Sequence, residues 1–202
     1  MRGGAQICVR FCTHIYDKAL QMKATICECG ATCFASTSQW CVTIVDAEDA
    51  WLLERYKWSA YAKARDSAHQ VKSDRYAKET SKSQYLHQAV IGHVRPMLDH
   101  INRWAHDNRK ANLRPCTAAE SARNRGKRNH RLGNMPSSKY KGVVKTSPIA
   151  WSAEVGAEGQ RRYRQTFHFE SDAAIAYNYH AAHYHGEFAN LNDLSEIEYM
   201  HD

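Results

Sequence analysis

The chain has 202 residues, enough for one large domain or two or three small ones. A mean hydropathy of −0.67 and the lack of a long apolar run exclude a membrane-spanning helix. A formal charge of +7 and a sequence pI of about 9.0 favour an anionic partner. The charge is concentrated: from Arg103 to Arg131 there are nine Lys/Arg, and Asp107 and Glu120 are the only acids.

Residues 1–39 lack periodicity and are rich in Cys, Thr and Ser. They read as an uncertain extension, with Met22 a second plausible start and ordered structure expected to begin near Trp40. Arg2 and Arg10 are not followed by a clean apolar segment and cleavage site, so no signal peptide is expected. Six of the seven cysteines fall between residues 8 and 41, and the odd count argues against a disulfide framework. Reduced thiols and a cytoplasmic location are the reading. Cys27-x-Cys29-x3-Cys33 has no fourth ligand at standard spacing, so structural Zn2+ is not expected.

WCVTIVD is a β-rich run with Val42 and Ile44 on one face. Asp46 or Asp49 is placed to cap a short helix, AEDAWLLERY, in which Ala50, Leu53 and Tyr56 share a face. KWSAYAKARD reads as a strand and DRYAKE as its return, with Trp58 and Tyr61 as packing residues. SQYLHQAVIG reads as a short helix with Leu86, Val90 and Ile91 inward, and His87 as a surface or packing histidine. Pro96 interrupts the chain.

The stretch Leu98–Thr117, LDHINRWAHDNRKANLRPCT, carries the chemistry. Asp99 can bind a divalent metal, and the adjacent His100 can take a proton from water. Asn102, Asn108 and Asn112 suit an irregular loop. TAAESARNR has good helix formers and an acid early, and reads as a helix. GKRNHRLGNMPSSK is a basic linker without an apolar period. Beyond it, YKGVVKT, AWSAEV and RRYRQTFHF predict three short strands. SDAAIAYNYHAAHYHG predicts a helix, with Ser171 as N-cap, Asp172 in the first turn, Gly186 at the C-terminal end, and Ala174, Tyr177, Ala181 and Tyr184 on one face. His180, His183 and His185 read as a solvated helix face.

The pattern from Asp99 to Thr117 resembles the HNH nuclease family, in which two strands, a loop and a helix surround one metal ion. The resemblance implies MLDHI as the first strand, Arg103–Lys110 as the loop, a second strand within ANLRPCT, and TAAESARNR as the motif's helix. The segments YKGV, W-x-A-E-V, TF, DAAIAYNYHAA and HGEFANLN, spanning Tyr140–Asn192, resemble the Apetala-two/ethylene-response-factor DNA-binding domain. Such domains also occur behind HNH nucleases in phage and bacterial homing endonucleases. Together the resemblances imply an α+β chain: an N-terminal β-rich region with a ββα-metal HNH motif, plus a three-stranded antiparallel sheet packed on one helix. The expected division is an extension at 1–39, an HNH endonuclease domain at 40–125, a basic linker at 126–139, an Apetala-two-like domain at 140–192 and a tail at 193–202.

The nuclease resemblance implies His100 as general base, Asp99 as metal ligand, Asn108 as the catalytic-loop brace and Asn112 as a structural tie. Arg109, Lys110 and Arg114 would contact phosphate, joined by the basic residues Arg123, Arg125, Lys127 and Arg128. Mg2+ is the expected metal, with Mn2+ also suited. Two positions depart from the pattern. Arg103 stands where the family commonly has Gly, and Ser121 where the second metal ligand is usually Asn. Asn124, one turn on, is the alternative ligand. In the C-terminal unit the matching DNA contacts are Lys141, Lys145, Trp151, Glu154, Arg161 and Tyr163, with Val144 replacing a family arginine. Arg162 and Arg164 are alternatives if the strand register shifts, and Trp151 is equally well a core residue.

The expectation is therefore a metal-dependent, homing-like endonuclease acting on duplex DNA, monomeric and not membrane-bound, in a bacterial or phage-infected cell. The rival is a catalytically decayed HNH protein that binds DNA as a regulator. An RNA-binding module is the weaker third reading, because no stacking platform of the usual kind is visible.

Overall fold

The computed structural model describes residues 24–36, 42–56, 58–61, 70–73, 84–92, 96–127 and 137–197. The chain is mixed α+β. Order begins before Trp40: β1 (Thr25–Ile26) and β2 (Thr32–Ser36) form a three-stranded antiparallel sheet with β3 (Val42–Asp46). Cys33 and Ala35 alternate inward on β2, and Thr43 and Val45 on β3. The expected face of Val42 and Ile44 is thus the outer one. Ile44 uses its backbone laterally, receiving the Asn108 N–H and donating to the His106 carbonyl, both at 2.8 Å.

Helix α1 (Ala50–Arg55) follows a 3-10 turn at Ala47–Asp49. Neither Asp46 nor Asp49 caps it through a side chain; Asp46 instead accepts the Lys110 backbone N–H at 2.8 Å. Leu52 and Leu53 are fully buried with Trp58, whose indole N–H donates to the Leu52 carbonyl at 2.8 Å. Each such side chain contributes roughly 1.5–3 kcal/mol by leaving water. Trp58 opens β4 (Trp58–Tyr61), which pairs with β5 (Gln70–Ser73). The expected return strand DRYAKE lies outside the described residues. Helix α2 (Leu86–Ile91) buries Leu86, His87 and Val90 and stops at Gly92, whose φ of 80° suits a residue without Cβ.

Next, β6 (Met97–His100) pairs antiparallel with β7 (Leu113–Cys116), setting Asp99 opposite Arg114 and His100 opposite Leu113. Helix α3 (Ala118–Asn124) starts at a reciprocal capping box: the Thr117 hydroxyl accepts the Glu120 N–H, and Glu120 accepts the Thr117 N–H.

The C-terminal module is a three-stranded antiparallel sheet packed on one helix. Its strands are β8 (Val143–Ser147), β9 (Ala150–Ala157) and β10 (Gln160–Phe167), with β9 central. Helix α4 (Glu170–His185) lays Ala173, Ala174, Tyr177 and Ala181 on Val143, Ala153 and Val155. The small alanines allow close approach. Gly142 is obligatory there: its φ is 71°, and an added Cβ would lie 2.0 Å from the Tyr177 ring. The helix begins two residues earlier than Ser171 as N-cap predicts. Phe169 is its N-cap, with no side-chain bond. Gly186 does end it.

Candidate functional site

The site forms where β6 leaves its sheet. His100, buried at the strand end, places Nε2 3.2 Å from the Asn108 Oδ1. The direction of this bond follows from the neighbours. The Asn108 amide nitrogen donates to the Thr43 hydroxyl at 3.0 Å and to the His106 carbonyl at 3.2 Å, while Thr43 donates to the same carbonyl at 3.0 Å. The Asn108 oxygen is therefore the atom turned to His100, and Nε2 carries the proton. Nδ1 is left as the basic nitrogen. Burial holds the imidazole below the ordinary histidine value, opposed by the Asn108 bond and by the charges of Asp99 and Asp107.

His87 meets the His100 ring edge-on, with centroids 5.3 Å apart, and its other side stacks on Tyr85. It is a packing histidine, lowered to about 4 by burial and then by the His100 charge. A positive charge on both rings at once is disfavoured.

The loop after His100 is braced by side-chain amides. Asn112 donates to the Asp107 carbonyl at 2.8 Å and to the Asn102 Oδ1 at 3.0 Å, and accepts the Asn102 N–H at 3.0 Å. Asn102 donates to Asp107 at 2.9 Å. Arg103 adopts a φ of 64°, so the position where Gly was expected does use the left-handed region, with a side chain in place.

Among the described residues, Asp99 accepts hydrogen bonds on Oδ2 alone: from Arg114 at 3.0 and 3.2 Å and from the Asn124 amide at 2.8 Å. Asn124 also donates to the His100 carbonyl at 2.9 Å. Its amide nitrogen is thus turned toward Asp99 as a brace. Ser121, partly exposed on α3, bonds Thr117 through its backbone N–H.

Several cations expected on phosphate are otherwise engaged. Arg109 makes two 2.7 Å bonds to buried Asp107. Lys110 pairs with Glu48 and, at 3.0 Å, with Asp49. The Arg114 side chain is 9% exposed, and its remaining nitrogen donates to the Glu187 carbonyl at 2.7 Å. Lys127 donates to the Tyr140 and Val143 carbonyls at 2.6 and 3.1 Å. Lys141 donates to the Arg123 carbonyl and, at 2.7 Å, to that of Arg125. Burial, then the nearby Arg103 charge, lowers Lys141 to about 8. Arg123 is partly exposed and Arg125 exposed; Arg128 lies outside the described residues.

In the C-terminal sheet, Lys145, Trp151 and Tyr163 do not form one outward row. Trp151 packs against the helix-side core with Lys145 above its ring at 5.2 Å, and Tyr163 stacks on His180 of α4 at 3.6 Å. Ordinary alternation along β9 puts Trp151 on the face of Ala153 and Val155, and a register shift between Arg161 and Tyr163 sets Tyr163 opposite Val155 on that same face. The exposed cations of β10 are Arg161, paired to Glu154 at 2.6 Å, Arg162, paired to Glu158, and Arg164, which has no ion pair among the described residues. His180 is stacked and His185 buried, its Nε2 2.8 Å from the Gly156 carbonyl; of the three helix histidines His183 alone is exposed.

Among the described residues, no group of three or more His, Cys, Asp and Glu is gathered for a metal ion. In the Cys27–Cys33 run, Cys33 is buried in the core and Cys29 is exposed. Also among the described residues, no helix is long and apolar enough to cross a membrane. Compared with known proteins, the chain matches no family model and no solved structure.

Sequence reasoning did not single out Thr43, took Asp107 only as an acid in the basic stretch, and read Asn102 only as a loop residue. The spacing of Asn102, Asp107 and Asn112 was a usable signal for the loop brace. Nothing in the sequence ties Thr43 to Asn108, 65 residues away.

Proposed function

We propose that this chain is a metal-dependent DNA endonuclease of the HNH type, homing-like, with an Apetala-two-like module behind its ββα-metal motif. The observation that carries the reading is the His100–Asn108 pair beside Asp99. A buried, neutral imidazole is held with Nε2 protonated and Nδ1 basic, one residue from a carboxylate with a spare oxygen. Such an imidazole suits proton abstraction from a water attacking a phosphodiester. Asn108 fixes the tautomer and the ring angle, and stabilises the imidazolium that forms when His100 takes the proton. The products would be 5′ phosphate and 3′ hydroxyl ends.

The donor set fits an oxygen-preferring divalent ion sparsely. Among the described residues Asp99 Oδ1 has no hydrogen bond, so Asp99 would hold Mg2+ or Mn2+ through it, with the Ser121 hydroxyl as second ligand or, with its amide turned over, the Asn124 oxygen. The bound ion would relieve charge on the phosphate and on the leaving 3′ oxygen. Exposed Arg164 on β10 and Arg125 at the end of α3 are the cations best placed for a DNA backbone.

The second reading, a catalytically decayed DNA-binding protein, is favoured by one feature. Arg114 and Asn124 occupy one oxygen of Asp99, and Ser121 is a poorer ligand than Asn. Plasmid nicking in Mg2+ separates the two. The endonuclease reading predicts conversion of supercoiled to nicked or linear DNA by the wild type, and a rate about 10²–10⁴-fold lower for His100→Ala. DNA binding without Mg2+-dependent nicking selects the decayed protein. Equal cutting by both chains removes His100 from the mechanism.

A further inference from the structure

Arg114 touches both halves of the chain. On one side it makes two bonds to Asp99 Oδ2. On the other, its guanidinium lies 3.8 Å from the centroid of the Phe188 ring and donates to the Glu187 carbonyl at 2.7 Å. Glu187 and Phe188 belong to the 3-10 turn that follows α4, so they are supplied by the C-terminal module. Two further contacts hold the same junction. Lys141 and Asn190, both from the module, donate to the Arg125 carbonyl at 2.7 and 3.0 Å at the end of α3. A guanidinium this buried needs every face satisfied; here an aromatic ring covers one face and oxygens meet the nitrogens.

We infer that the C-terminal module completes the Asp99–His100 site: Phe188 and the Glu187 carbonyl seat Arg114, and Arg114 fixes the Asp99 carboxylate through Oδ2, leaving Oδ1 outside the pair. Arg114 and Phe188 are positioning residues, acting through Asp99. The catalytic consequence rests on the endonuclease reading; the clasp itself does not. Docking of the module is then a condition of cutting, in addition to any hold it has on DNA.

The test uses the full chain, with Phe188→Ala to remove the ring and Phe188→Tyr to restore it. The expected result for Phe188→Ala is kcat for Mg2+-dependent nicking lowered about tenfold, KM for DNA changed less than about twofold, and weaker Mn2+ binding by electron paramagnetic resonance. Phe188→Tyr should return both toward wild type. Nicking and Mn2+ binding unchanged in Phe188→Ala would overturn the inference, as would a raised KM with kcat unchanged. If the wild type itself neither nicks nor binds Mn2+, the endonuclease reading falls and calorimetry decides the clasp. One unfolding transition in wild type and Phe188→Tyr, split into two in Phe188→Ala, supports it; two transitions in the wild type refute it.

Discussion

The β6–β7–α3 region and the C-terminal module are held by opposite means. In the first, Asp99, His100, His106, Asp107, Asn108, Asn112, Arg114 and Asn124 are buried together. In the second, the shared face of β9 and α4 is alanine, valine and tyrosine. Burying polar groups stabilises little in net terms and is costly wherever one partner is lost. An apolar sheet-on-helix face reaches the same compactness with less risk. A polar centre maintained beside cheaper alternatives points to function in the first region and to a supporting scaffold in the second.

The comparison is broken most severely by crowding the apolar module. Gly142→Ala puts a methyl group into the Tyr177 ring at a φ of 71°. It should lower stability by about 2–5 kcal/mol, measured by urea denaturation.

Acid should act through buried histidines. The folded-state value of His87 is about 4, below the ordinary 6.5, so the unfolded chain takes up the proton first as pH falls. Stability is therefore fully present above pH 6.5, is lost between 6.5 and about 4, and levels off below; the loss is on the order of 3 kcal/mol. His100 and His185, also lowered mainly by burial, act in the same direction. Equilibrium unfolding at pH 7.5 and 4.5 checks this, and His87→Phe should flatten the dependence.

Asn108→Ala should cost about 2 kcal/mol, because His100, Thr43 and the His106 carbonyl each lose a partner. Under the endonuclease reading it should also reduce nicking more than its stability loss explains at a temperature where the variant remains folded. The smallest effect is a gain. Arg103→Gly should stabilise the loop by up to about 1 kcal/mol, since glycine adopts a φ of 64° without steric cost. A rise in melting temperature would show it.

Local periodicity made the second region readable. Alternation in AWSAEV and the helical spacing of Ala174, Tyr177 and Ala181 correspond to β9 and α4. The strand pair around Asp99 was legible only through the resemblance of Asp99–Thr117 to a known motif, since neither strand alternates. Long-range pairing was not. Lys110 finds its acids 62 and 61 residues back, at Glu48 and Asp49, so a count of local basic residues overstated the charge available to phosphate. On the sheet, plain alternation puts Trp151 on the helix side with Ala153 and Val155, whereas the shift between Arg161 and Tyr163 that brings Tyr163 to the same side leaves no mark in the sequence. Strands β1 and β2 escaped notice because their sequences, TI and TCFAS, are short and carry little hydrophobic alternation.

The account stands most directly on the state of one imidazole ring. Nitrogen-15 NMR of the histidine side chains, with His100 assigned by its loss in His100→Ala, reads tautomer and charge together. The prediction is a neutral His100 at pH 7, protonated on Nε2 and bare on Nδ1, its signal moving to Nδ1-protonated character when Asn108 is replaced by Ala. A His100 already charged at pH 7, or carrying its proton on Nδ1 in the wild type, would contradict the claim that Asn108 holds it ready as a base.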